Sequence, residues 1–181
     1  GYQKMAANLR AEKSGFAKEV HERLNSKFDG AESAKVIQWI HLLPAPAVPE
    51  QITKAVNKQP ADVNSISIED FHAYLSNGLV LGYLMGCLSP KEAEKLSSKT
   101  WQISDKPVFE TSRQRERIGC FLQWAQAVGV PSAYLFQTDQ LYEKTNLSQV
   151  TICLSQLGVE MQSKPDYNGP ENFWLKKQKE N

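Results

Sequence analysis

Apolar residues recur along this chain at helical rather than strand spacing. Phe16, Val20 and Leu24 stand four residues apart and predict a first helix over 14–28, with Ser14 as its N-cap. Val36, Ile37, Ile40 and Leu43 make a second stripe over 31–43, which Pro44, Pro46 and Pro49 bring to a stop. The stretch from Pro44 to Ser67 reads as irregular, with room for one short helix near 52–57. Ser67, with Asp70 three residues on, predicts the start of a further helical region. Phe71, Leu75, Leu79, Leu81, Leu84 and Leu88 form its apolar face, and Gly78 divides it into two helices or kinks one. Residues 91–108 are polar apart from Trp101 and read as a loop with a short turn. The clearest helix is expected over 111–128, where Ile118, Phe121, Leu122, Ala125 and Val128 share a face and Arg113, Arg115 and Arg117 occupy the first turns. Gly129 is its natural C-cap, followed by Pro131. A short helix over 138–144 precedes a last one capped by Asn146, with Leu147, Val150, Leu154 and Leu157 on one face and Gly158 at or near its end.

No segment combines period-two alternation with hairpin turn residues, and no internal repeat appears. The stripes therefore predict an all-α fold, one helical globule of about five to seven helices around a single core. The expected organisation is an N-terminal tail over 1–13, the globule over 14–160 and a C-terminal basic tail over 161–181. Expected core residues are Trp39, Phe71, Leu75, Leu81, Leu84, Phe121, Leu122, Phe136, Leu141, Leu154 and Leu157.

Composition removes several function classes. A chain of 181 residues with 41% hydrophobic and 23% charged residues can bury a core and is neither disordered nor membrane-embedded by composition. No apolar run reaches the roughly 18 residues that span a bilayer, and residues 1–13 lack the apolar core of a secretory signal. A net charge of +1 argues against a nucleic-acid-binding surface, so any electrostatic contact must be local. Lys144 and the group Lys176, Lys177 and Lys179 are the candidates for one. The three cysteines, Cys87, Cys120 and Cys153, sit inside apolar stripes away from metal-ligand spacing. They read as buried small hydrophobes in a reducing, cytosolic compartment.

Chemistry requires a constellation, and none is legible. His21, His41 and His72 lie on three separate elements without a partner at zinc-site spacing. Phosphate-binding loops, nucleophile elbows and calcium loops are absent as motifs. The expectation is a non-catalytic protein with no cofactor, no metal, no nucleic-acid partner and no membrane partner.

Several segments, in order, resemble a known family. They are Gly15-Phe16-Ala17-Lys18-Glu19-Val20, Lys27-Phe28-Asp29 and Val36-Ile37-Gln38-Trp39-Ile40. Next comes the block Phe71 to Leu81 with its Ser76-Asn77-Gly78-Leu79-Val80-Leu81 core. Last are Val128-Gly129-Val130, Leu135-Phe136-Gln137-Thr138-Asp139-Gln140-Leu141-Tyr142-Glu143 and the apolar positions of the final helix. Over roughly residues 14–177 the chain resembles the calponin-homology domain, and within that family the single-domain type of calponin and transgelin. The segment Gly169 to Lys177 is similar to the transgelin stretch in which an Asn, two aromatics and a Lys-Lys pair precede a basic run.

The resemblance implies an actin-binding, cytoskeleton-associated cytoplasmic module. By position it assigns the contact to Lys176, Lys177 and Lys179, with Phe173 and Trp174 anchoring that segment to the domain. The expected partner is filamentous actin. The alternative is a signalling or scaffold domain of the same fold that binds another protein and not actin by itself.

Overall fold

The computed structural model describes residues 1–62 and 64–178, without the side chains of 9–12. Its described residues form nine α-helices and three 3-10 turns, with no strand. They run α1 (Tyr2–Asn25), α2 (Gly30–Leu42), α3 (Glu50–Val56), α4 (Ile68–Leu75), α5 (Leu79–Leu88), α6 (Pro90–Ala93), α7 (Pro107–Ala127), α8 (Thr138–Tyr142) and α9 (Leu147–Gln162). The all-α expectation holds. The stretch expected to be a loop with a short turn instead carries α6 and two 3-10 turns, Glu94–Ser97 and Lys99–Trp101.

Local chemistry sets several boundaries. The Asp29 carboxylate accepts from the Glu32 backbone N–H at 3.0 Å and caps α2. The Ser67 hydroxyl caps α4 through the Asp70 N–H at 3.1 Å, and the Asn146 side chain caps α9 through the Gln149 N–H at 3.2 Å. The first helix departs from expectation. It runs straight through Ser14, which caps nothing, because residues 2–13 hold good helix formers and no proline. Phe16, expected on its buried face, is 68% exposed.

One core joins two groups of helices. α5 packs against α3, α4, α6 and α7, while α9 packs against α1, α2 and α8. Every residue from Leu79 to Gly86 is buried, as a helix surrounded on all sides requires. Between α2 and α9 the buried Ser33 and Thr151 hydroxyls share a hydrogen bond of 2.8 Å. Trp39, Phe71, Leu75, Leu81, Leu84, Phe121, Phe136, Leu141, Leu154 and Leu157 lie in the core as expected. Leu122 is only partly buried at its edge.

Arg117 ties α7 to the α4–α5 junction and to the chain that precedes α7. Its side chain is fully buried. The guanidinium donates to the carbonyls of Thr100 (2.7 Å), Asn77 (2.9 Å) and Gln102 (2.8 Å) and grips both Glu110 oxygens at 2.9 and 3.1 Å. The Arg117 side chain runs beside Gly78, the residue that turns α4 into α5. Gly78 has φ +82°, and a Cβ there would lie 2.5 Å from the Arg117 Cβ. Gly78→Ala therefore combines a left-handed backbone with overpacking and should cost about 2–4 kcal/mol in a urea titration. A loss below about 0.5 kcal/mol would show that this junction relaxes freely.

Candidate functional site

The positions singled out for partner contact lie in the chain that leaves α9. This segment folds back over α2 and α9 as a strap, and three local devices hold it. Tyr167 begins it: its hydroxyl accepts from the Trp39 indole N–H at 3.0 Å and donates to the Pro170 carbonyl at 3.2 Å. Asn172 then turns the chain in the left-handed region, at φ 56°. Gln162 completes the hold. Its side-chain oxygen accepts from the Trp174 backbone N–H and its amide donates to the Trp174 carbonyl, both at 2.9 Å.

Trp174 is the strap's anchor and is 5% exposed. Its ring meets Trp39 edge-on, with centroids 5.6 Å apart and an interplanar angle of 82°, and packs against Phe173 at 5.1 Å. The Lys35 ammonium from α2 lies 4.8 Å from the Trp174 ring and 5.3 Å from that of Phe173, within cation–π range. Space for the indole comes from Gly158, where any Cβ would run into the Trp174 ring. Gly158 stands near the end of α9 rather than closing it, one of the two places that its sequence position allows. It lies four residues before the helix end and makes the slot. The Trp174 indole N–H is buried without a hydrogen-bond partner.

The lysines fall in different environments. Lys176 is exposed and, with Lys164, Lys177, Ser163, Asn172 and Glu171, lines a cleft of about 500 Å³. Lys177 is not free: its ammonium pairs with the Glu160 carboxylate of α9 at 2.9 Å, and the Glu160 side chain is 12% exposed. Lys179 lies outside the described residues. Lys144 sits far along the chain, at the turn before α9, with φ 56° and its carbonyl accepting from the Asn25 side chain at 2.9 Å. Phe173 and Trp174 perform the anchoring expected of them. The slot at Gly158, the Gln162 bracket and Glu160 escape sequence reasoning, because each acts only on chain that returns from elsewhere.

The remaining reactive groups are placed structurally. Cys153 is buried and Cys87 and Cys120 are half-buried. Burial pushes the Cys87 and Cys153 thiols up to about 12, so neither supplies a thiolate near neutral pH. Burial also lowers the pKa of His41, and the His72 ring sits 3.0 Å from the Tyr142 carbonyl. Among the described residues no cluster of three His, Cys, Asp or Glu could hold a metal ion, and no helix is long and apolar enough to cross a membrane.

Comparison with known proteins agrees with the helical architecture. The sequence profile of the calponin homology (CH) domain matches residues 47–163. Myophilin of Echinococcus granulosus is 29% identical over 157 residues, which cover 87% of this chain and 70% of that protein. The profile match extends over more than half of the chain, from the start of α3 to the end of α9, and with it the chain belongs to the calponin-homology family.

Proposed function

We propose that this calponin-homology module is a non-catalytic, cytoplasmic component of the actin cytoskeleton, and that its C-terminal strap contacts the acidic surface of filamentous actin. The observation that carries this reading is the exposed Lys176, which lines one cleft with Lys164 and Lys177. Lys177 and Lys179 complete the basic run by position. Such contacts are screened by salt, with a Debye length of about 10 Å at 0.1 M.

Co-sedimentation with actin filaments across a salt series tests the proposal. The protein should pellet at low salt and progressively less as salt rises. Reversing Lys176 and Lys177 to Glu together should weaken binding by about ten-fold, the scale of one or two exposed charge contacts reversed. Absence of pelleting by the wild type and by Trp174→Ala, which removes the anchor of the strap, would remove actin as the partner. The scaffold alternative would then stand, and the pairing of Lys177 with Glu160, which withholds one of the cations, is the observation in its favour.

A further inference from the structure

We propose that the strap over 167–177 is a releasable latch that restrains the basic segment, so that docking of Trp174 and engagement of an acidic partner oppose each other. The inference rests on the strap being the partner-binding element and adds how that element is regulated.

Charge is the first ground. Between Glu160 and Gln178 the chain holds three lysines, Lys164, Lys176 and Lys177, and three carboxylates, Glu160, Asp166 and Glu171. With the strap docked, Lys164, Lys176, Lys177 and Glu171 line one cleft, and the Lys177 ammonium is committed to Glu160 at 2.9 Å. An acidic surface approaching that cleft must compete with an internal carboxylate for Lys177. Release carries Lys176 and Lys177 away from Glu160.

The fit of the anchor is the second ground. Trp174 enters a slot that exists only because residue 158 is glycine, and it enters with its indole N–H buried and unpartnered. A buried donor without an acceptor is a standing penalty on the docked state that water removes on release. A tryptophan serving only as a permanent core residue would normally find a partner for that group, as Trp39 does on Tyr167 and Trp124 does on the Ser89 hydroxyl at 3.0 Å. The docked state is held by Trp174 packed on Trp39, the Gln162 bracket and the Tyr167 hydrogen bonds, and by two charge contacts for which an acidic partner competes, the Lys177 ion pair and the Lys35 contact to the two rings.

Two variants of the full chain separate a latch from a scaffold. Gly158→Ala fills the slot from the α9 side, and alanine suits a helix interior better than glycine, so α9 should be retained. Trp174→Ala removes the anchor and leaves α9 untouched. Fluorine NMR of 5-fluorotryptophan-labelled protein reads docking directly: the Trp174 resonance should move to a solvent-exposed position in Gly158→Ala. Both variants should then pellet with actin filaments at about five-fold lower filament concentration than wild type, because the competent state no longer has to be drawn from a minority population. Filament addition to wild type should drive the same Trp174 shift.

If the wild type pellets and both variants pellet equally or more weakly, the strap is a scaffold and the latch is overturned. If neither wild type nor the variants pellet, the actin reading itself falls and the latch falls with it. Binding by the variants alone would support both.

Discussion

Arg117→Ala should cost about 3–5 kcal/mol, a large share of the stability of a domain this size. The change leaves the Glu110 carboxylate, whose side chain is only 16% exposed, without its cation. It also strips donors from the carbonyls of Thr100, Asn77 and Gln102 and empties the volume of a fully buried side chain. Urea unfolding would show the loss as a lower midpoint at an unchanged slope. Arg117→Met fills most of the space but still leaves Glu110 unpaired, so it should remain strongly destabilising. Adding Glu110→Gln to Arg117→Met should recover part of the loss, the non-additivity expected of two members of one network. Additive effects would mean that the pair is not the unit described.

The same pair makes an acid limb in the stability profile. Burial alone would raise the Glu110 pKa. Hydrogen bonds from Arg117, the Ser104 backbone and Gln114, together with the Arg117 charge, outweigh burial and hold it below the ordinary 4.5. A carboxyl group whose folded pKa is depressed binds protons more weakly folded than unfolded. Its stabilising contribution is complete above the unfolded value and is lost as pH falls through the folded one. Wild type should therefore lose stability in acid with a steeper slope than Glu110→Gln, and equal slopes would contradict the assignment.

Trp39→Ala should have an effect of similar size, about 3–5 kcal/mol for deletion of a fully buried tryptophan. Trp39 is at 0% exposure between α2, α9 and the strap. Its removal opens a cavity in the core and withdraws both the edge-on partner of Trp174 and the N–H that holds Tyr167. Two results should appear together: a lower unfolding midpoint, and faster amide exchange over 172–177. Trp39→Phe keeps an aromatic body and loses the Tyr167 hydrogen bond, so it should cost only about 1 kcal/mol beyond the volume lost. Unchanged exchange over 172–177 in Trp39→Ala would show that the strap is held without Trp39.

The pattern of apolar spacing and punctuation was sufficient for the helical class and for many of the element limits. Asn146 and Ser67 cap through their own nearest backbone, Gly78 and Gly129 take positive φ at helix boundaries, and Pro44 stands directly after Leu43, the C-cap of α2. These effects act over a few residues, so they are written locally. The family blocks carry mainly core residues for the same reason, since burial follows helical periodicity.

Other features were decided only when distant chain met. An arginine in the first half of a helix reads as a solvated residue, and Arg115 is indeed a partly exposed one, paired with Asp139 and Glu143 at 2.7 Å. Arg117, two positions on, turns through about 200° of the helix and faces three loop carbonyls instead. No local pattern distinguishes the two, because the carbonyls come from residues 77, 100 and 102. The same holds at the strap. The Lys-Lys pair is visible in the sequence as a basic run, and its anchor as two aromatics. That Lys177 is claimed by Glu160, that Gly158 makes room for Trp174, and that this indole N–H is left unpaired follow from the packing of the strap against α2 and α9.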